Sequence, residues 1–574
     1  MITDIKKSFF VLDKKNKINY FLLLICIIVG AILEITSIYL IYKLIILITD
    51  KSFDAVNNPV DLFDNEKIGF SLEVSFENFL IIIISLFLFK FIYFIILYFS
   101  KYYFVNYVRV KLSSSILKSY LKKKNNFYIL NKSSVLIRNV ENEVGQYANG
   151  ILQPMLILFS EFFMLIGILI FLFITNPTVV IMCFALLFVI SQIYFISIKK
   201  ILSSHGHKRQ KFTGKVLGTL METFQGIKVL KVFNAENYFY QKYVEFAKKL
   251  AKSNIIVGSF TQVPKFGLEF LIVCLITIFL FYISKSQSII FAFDTLALLA
   301  VSSFKLIPSV SRILFSLQNM RFNKASLNVL SKEIGKIENI KDLKFDFKPF
   351  NFKDKIEFKN VDFKYENSKH TILRKINFTI KKGSSIGIVG ESGAGKSTFI
   401  DLLMGFIEPT KGKILIDNKN LKDFKHQWMK LIGYVPQKLF LTDDTIKQNI
   451  AFGLDVKEID EKMVKSAIKM SQLEKLTLNS RDIYNENLGE QGSKISGGQI
   501  QRISLARSFY KKSQIYIFDE ATNSLDNITE KKVLNTVKKI VKRKTLIIIS
   551  HKIATLGFCD NIFMIKNGTL KKVK

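Results

Sequence analysis

The sequence predicts an all-α six-helix transmembrane domain fused to an α/β domain. Three observations carry that prediction. Six apolar runs of membrane length fall near 20–48, 79–100, 151–175, 178–198, 255–283 and 289–310. From about residue 356 onward, short apolar strands alternate with helical patterns. Within that second region a strand-like run, Ser385 to Val389, passes through a glycine-rich loop into a helix-like run, Phe399 to Met404.

At 574 residues the chain is too long for one core. We read 1–320 as the membrane domain, 321–355 as a polar, Lys-rich linker and 356–574 as the α/β domain. The 82 Lys and Arg outnumber 46 acids, for a formal charge of +36. Lys supplies most of it and is spread along the chain. That fits basic loops facing anionic lipid better than a nucleic-acid surface, so no nucleic-acid partner is expected. Cys26, Cys183, Cys274 and Cys559 form no close pair, which leaves neither a disulfide framework nor a zinc site.

Residues 1–19 are basic and too weakly apolar for a cleavable signal peptide. Each of the six runs then approaches the ~20 apolar residues that a spanning helix needs. The 50–78 connection holds seven acids against Lys51 and Lys67. The 101–149 connection holds nine Lys or Arg, and the 199–254 connection twelve. Basic loops stay cytoplasmic, so both termini are expected inside a plasma (inner) membrane. The two inner loops are long enough to continue the helices well below the bilayer. The outer turns, at Asn176-Pro177 and Ser284 to Ser288, are short.

The glycine-rich loop reads Gly390-Glu391-Ser392-Gly393-Ala394-Gly395-Lys396-Ser397-Thr398, the G-x-x-x-x-G-K-[ST] pattern of a P-loop. Its glycines let backbone N–H groups turn around phosphates, and the following helix points its positive end at them. Lys396 would reach the β/γ-phosphates, and the Ser397 hydroxyl would hold Mg²⁺. ATP with Mg²⁺ is the expected ligand of this α/β P-loop NTPase domain.

The rest of the domain resembles the ATPase domain of ABC transporters, motif by motif. Tyr365, about 25 residues before the loop, resembles the aromatic that stacks on adenine. Gln437 in Gly433-Tyr434-Val435-Pro436-Gln437 looks like the Q-loop glutamine that touches Mg²⁺. Ile495-Ser496-Gly497-Gly498-Gln499 looks like the ABC signature, with Ile where Leu is usual. Ile515 to Asp519 reads as Walker B, with Asp519 on Mg²⁺ through water, and Glu520 as the general base. Ser524-Leu525-Asp526 matches the D-loop, and His551 the switch histidine. Asn487 to Gly492 resembles the X-loop of exporters. The resemblance implies a composite site: Ser496 and Gly498 of one copy close on ATP held by another. With Glu520, Gln437 and His551 all intact, it implies a half-transporter working as a homodimer.

The membrane half resembles the ABC exporter (type IV) architecture. There, Phe233 to Tyr243 would be a coupling helix and Asn126 to Ser133 another. Charge within spans is costly and usually functional. Lys90, Glu34 and Glu161 lie near mid-span; Lys265, Lys305 and Arg312 lie toward the inner side, where snorkelling explains Arg312. Lys90 has two readings, an internal ion pair with one of the glutamates or a basic cavity wall that receives a phosphate or diphosphate. Val263-Pro264-Lys265, Leu268-Glu269, Lys305 to Ser309 and Arg312-Ile313 resemble segments of the PglK-type lipid-linked oligosaccharide flippase family, as do Glu34 and Ser160-Glu161. That family carries Arg at several of these Lys positions, so the bidentate fork is lost here. The resemblance implies ATP-driven flipping of a polyprenyl-diphosphate-linked glycan, a membrane glycolipid, with Lys90, Lys265, Lys305 and Arg312 lining its cavity. The alternative is an ABC exporter of another lipid, a drug or a peptide.

Overall fold

The computed structural model describes residues 2–49, 60–61, 73–123, 125–175, 177–284, 289–338, 350–365, 370–474, 485, 487–522, 525–541, 544–551 and 553–573. The expected outer turns, most of the 50–78 connection and Ser524 lie outside the described residues. The chain divides into two compact units, the first ending at Asp342 and the second running from Leu343 to Lys574.

The first unit is helical. After α1 (Ile2–Val11) come α2 (Lys14–Thr49) and α3 (Phe76–Leu121). A short α4 (Asn125–Leu130) precedes one continuous helical stretch: α5 (Ser133–Ile137), a π-helical turn Arg138–Glu143, α6 (Val144–Tyr147), a second π-helical turn Ala148–Leu152, and α7 (Gln153–Thr175). Then follow α8 (Pro177–Gln225), α9 (Ile227–Val232), α10 (Glu236–Ser284), α11 (Ile289–Phe322) and α12 (Lys324–Glu338). Each predicted span falls within a helix. Among the described residues, Lys14–Ile45, Phe76–Leu121 and Ser133–Ile170 are long and apolar enough to cross a membrane. The other three runs include side chains outside the described set. The inner loops do continue the helices: α8 and α10 have 49 residues each. At 1.5 Å rise that is roughly 70 Å, more than twice a hydrocarbon core.

Two expectations need correction. Residues 324–338, read as linker, form α12. Its overall polarity hides an apolar face, on which Leu327 and Leu330 are fully buried against the core that Val108, Ile116 and Val144 share. The helix also packs on α1, where Asp4 pairs with Lys324 at 3.0 Å. The second coupling helix is α9, Ile227–Val232, and not Phe233 to Tyr243. Asn234 at φ 51° ends it, and the chain restarts as α10. The first is α4, close to its expected place.

Below the spans, glycines set the packing. A Cβ on Gly206 of α8 would lie 2.1 Å from the Phe322 carbonyl oxygen. Backbone cannot yield as a side chain can, so Gly206→Ala is expected to destabilise the membrane unit by about 1–3 kcal/mol. Thermal unfolding of the purified protein in detergent measures it; an unchanged midpoint would mean that this helix approach is looser than described.

The second unit has two sheets. Six strands pair in the order β12-β11-β5-β10-β9-β8, with β5 (Ser385–Gly390), β8 (Ile432–Val435), β9 (Ile515–Asp519), β10 (Thr545–Ile549) and β11 (Asn561–Lys566) parallel and β12 (Thr569–Lys572) antiparallel. Sheets of this type are covered on both faces, and β9 and β10 are accordingly apolar and buried at every position but the last or first. A second, antiparallel sheet orders β4 (Leu373–Lys381), β3 (Lys355–Phe363), β6 (Lys411–Ile416) and β7 (Lys419–Asn420). A core between them holds Phe358, Phe399 and the fully buried Trp428, whose indole N–H donates to the Leu403 carbonyl at 2.8 Å.

Candidate ATP site and the buried charges of the membrane unit

The parallel strands end in register, and that places the site. Asp519 pairs with Ile549 across β9 and β10, and Ile549 with Ile388 of β5. The residues just beyond these ends, Gly390 onward, Glu520 and Ser550-His551, therefore emerge side by side. Ligands of open α/β sheets sit at this carboxyl edge.

The P-loop joins β5 to helix α13 (Lys396–Met404). Gly390 is packed tightly: a Cβ there would lie 2.6 Å from the Ile565 carbonyl oxygen. Gly395 takes φ 102° at the helix start. The Lys396 ammonium donates to the carbonyls of Gly390 at 2.7 Å and Glu391 at 2.9 Å, so it already lies inside the loop. The Tyr365 hydroxyl is 3.5 Å from Thr398 Oγ1, which puts the ring beside the P-loop helix.

Glu520 is the hub. Gln437 Nε2 donates to its Oε2 at 2.9 Å. His551 Nε2 lies 2.7 Å from its Oε1, a contact that requires the proton on Nε2. Gln501 Nε2 holds its carbonyl at 3.1 Å, and its own N–H donates to Ile549. The backbone of Glu520 sits at φ 52°, a conformation that a residue with a Cβ adopts at a cost and that clusters at functional sites. The three predicted catalytic residues thus meet in one cluster.

Asp519 is 5% exposed, and burial pushes its carboxyl up to about 6, with neighbouring Glu520 adding and Lys396 opposing. Asp401 on α13 is also raised to about 6, by burial and then by Asp519. Burial followed by these two carboxyls raises the Tyr434 phenol. Excess acid beside a phosphate-binding loop is a setting that a hard divalent cation relieves. The described residues hold no cluster of three metal-ligating side chains. Mg²⁺ bound with a nucleotide needs only one or two carboxylates, so Asp519 with Ser397 and Gln437 fits it.

The signature stretch is a helix start. Ser496 caps the helix Gly497–Tyr510: its hydroxyl accepts from Gln499 N–H, and Gln499 Oε1 accepts from Ser496 N–H at 2.7 Å. Space around the Gly497 α-carbon is open. No hydrogen bond joins Ser496 to Gln499 with Gly390 to Thr398 among the described residues. Asp526 caps the next helix, Asn527–Val541, and accepting the Thr529 N–H holds its carboxyl below the usual range.

Four residues of the site carry no sequence signal that we used: Asp401, Gln501, Asn449 and Arg507. Asn449 is fully buried. Its Oδ1 accepts from Thr442 N–H at 3.0 Å and Arg507 Nη2 at 3.2 Å, and its Nδ2 donates to the carbonyls of Thr442 and Asp444. Arg507 also holds the Asn449 and Phe440 carbonyls. This clamp fixes the segment after Gln437 to the signature helix. Asn449→Ala leaves those groups unmatched, and a loss of about 1–3 kcal/mol is expected in denaturant unfolding of the full-length protein.

In the membrane unit the charged residues are paired. Lys90 Nζ lies 2.7 Å from Glu34 Oε2 and donates to Ser37 Oγ at 2.8 Å. The ion-pair reading of Lys90 is the one realised, and its charge is already balanced. Lys90 still borders a groove of about 570 Å³ along α3, with Phe87, Phe91, Phe94, Ile95 and Tyr98. Arg312 does not snorkel: its Nε and Nη2 reach Glu161 Oε1 at 2.6 Å and Oε2 at 3.1 Å. Lys265 is exposed, its ammonium 5.7 Å from the Phe266 ring centre. The Lys305 side chain lies outside the described residues.

Residues 20–290 match the ABC transporter transmembrane region, and residues 373–523 match the ABC transporter family. A protein of Rickettsia bellii, provisionally named an export ATP-binding/permease protein, is 30% identical over 82% of each chain. An ATP-dependent lipid A-core flippase of Ralstonia nicotianae is 28% identical over 77% of this chain and 75% of its own. The structure of a bacterial Atm1-family ABC exporter with ATP bound overlays with a TM-score of 0.78 at 20% identity, covering 97% of this chain and 94% of that one, so the fold is shared. The chain belongs to the ABC transporter family: it is a multi-pass, ATP-driven ABC exporter, with a helical transmembrane domain fused to an α/β ATPase domain.

Proposed function

We propose that this exporter flips an anionic lipid-linked oligosaccharide, of the polyprenyl diphosphate type, from the inner to the outer leaflet of the inner membrane. The observation that carries this is the buried ionic chemistry between spanning helices, at Glu34–Lys90 and Glu161–Arg312. Charges are rarely kept there without a polar cargo. Relatives named lipid A-core flippases support a lipid cargo. A relative of Bacillus subtilis, 26% identical over 81% of this chain and provisionally named a multidrug exporter, favours the alternative, as does the aromatic groove on α3.

In this reading two copies form a homodimer with all termini cytoplasmic. Lys396 and the loop amides hold the ATP phosphates, and Tyr365 stacks on the adenine. Ser496, Gly497, Gly498 and Gln499 of the partner copy bring an open helix N-terminus to the γ-phosphate. Mg²⁺, held by Ser397, Gln437 and Asp519, supplies charge neutralisation at the phosphates. Glu520 takes the proton of the attacking water, while His551 and Gln437 fix its carboxylate. Asp526 positions the start of the following helix.

The test is flipping in proteoliposomes with ATP, comparing a lipid-linked oligosaccharide with a zwitterionic phospholipid. ATP-dependent outward movement of the first alone is expected. Equal rates for both would move the assignment to the broader exporter class.

A further inference from the structure

The two buried ionic groups of the membrane unit are unequal. Lys90 and Glu34 match one to one. At the other group Glu161, its side chain 9% exposed, gives both oxygens to Arg312, whose side chain is 49% exposed. Lys101 lies beside them. It is 9% exposed, its nearest oxygen is Ser160 Oγ at 3.5 Å, and its ammonium sits 5.2 Å from the Tyr98 ring centre. No acid lies within ion-pair distance of it among the described residues, although Glu161 acts on it through space. Two cations therefore share one carboxylate, and the group carries one positive charge in excess.

That excess has a direction. Arg312 is the exposed member, so an oxyanion arriving from outside the cluster meets its guanidinium fork first. Taking Arg312 away from Glu161 would strand a buried carboxylate, which is strongly unfavourable. Lys101, one residue's reach from Ser160, removes that obstacle.

We propose that Glu161 is an exchangeable counter-ion: an anionic headgroup takes the Arg312 fork, and Glu161 transfers its pairing to Lys101. The ligand class is a phosphate- or diphosphate-bearing lipid. Lys101 acts through Glu161 and is a positioning residue. The inference deepens the anionic-cargo reading and rests on it.

The test uses the full-length protein in proteoliposomes, with ATPase stimulation by a polyprenyl diphosphate and by the neutral polyprenol of equal length. Wild type is expected to show an apparent KM at least about tenfold lower for the diphosphate. Lys101→Met should raise that KM about tenfold with kcat changing less than about twofold, leave the polyprenol KM in place, and be rescued by Lys101→Arg. Glu161→Gln should lower the diphosphate KM, because Arg312 is already free, and should abolish the effect of Lys101→Met in the double variant. A diphosphate KM unaltered by Lys101→Met, or a loss that Lys101→Arg shares, or additive effects in the double variant would each overturn the exchange. A wild type that does not distinguish diphosphate from polyprenol would overturn the anionic-cargo reading itself, and the exchange with it.

Discussion

Glu520→Gln is expected to keep ATP binding and to lose turnover by about 10²–10⁴-fold, the span that a positioned general base contributes. The substitution changes little besides the charge. Gln can still accept from Gln437 Nε2 and His551 Nε2, the two contacts of 2.9 and 2.7 Å that hold Glu520. Its backbone remains at φ 52° with the Gln501 and Ile549 bonds in place. What is lost is the ability to take a proton from water. Phosphate release and nucleotide affinity, measured on the same reconstituted sample, separate the two effects. Normal hydrolysis would remove Glu520 as the base and leave it as a structural junction between β9 and β10.

Glu143→Ala should be the most damaging single change in the membrane unit. Glu143 is 2% exposed and accepts from Ser326 Oγ at 2.5 Å. Arg138 Nε lies 3.3 Å from its Oε1, and Arg209 Nη2 lies 3.8 Å from its Oε2. Arg209 in turn donates to Asn323 at 2.8 Å and Ser326 at 2.7 Å. Removing the acid leaves two buried guanidinium groups uncompensated, and about 3–5 kcal/mol of destabilisation is expected. Thermal unfolding in detergent should show it at both low and high salt, because buried charges are poorly screened. A small, salt-sensitive loss would instead describe a solvated network.

The ATP site was legible because its motifs are short and its geometry is a consequence of the sheet. Residues at the ends of parallel strands meet whatever the sequence distance between them, and so Gln437, Glu520 and His551 could be assigned one motif at a time. The spans were legible because hydropathy is a property of composition. Contacts between helices were not. Nothing in the spacing of Glu34 and Lys90, or of Glu161 and Arg312, says that they touch; that depends on how α2, α3, α7 and α11 are rotated. Lys101 escaped for a related reason: it stands where a basic loop was expected to begin, and only packing buries it. In α12 the apolar face is too narrow to offset seven polar or charged neighbours in a composition window. At α9 the exposed Phe233 suggested a helix start, whereas Asn234 in the left-handed region makes it an end.

The π-helical turns at Arg138–Glu143 and Ala148–Leu152 have a consequence for how this gene can change. Each is a one-residue swelling in a helix that runs unbroken from Ser133 to Thr175. Glu143 ends the first, and Glu161 lies beyond the second. Deleting a single residue at either swelling would restore ordinary helix and turn everything after it by about 100°. Glu161 would then face away from Arg312 and Lys101 while Glu143 kept its partners. Point substitutions can drift through this stretch one side chain at a time. Its length cannot, because the two swellings keep two sets of buried charges in phase.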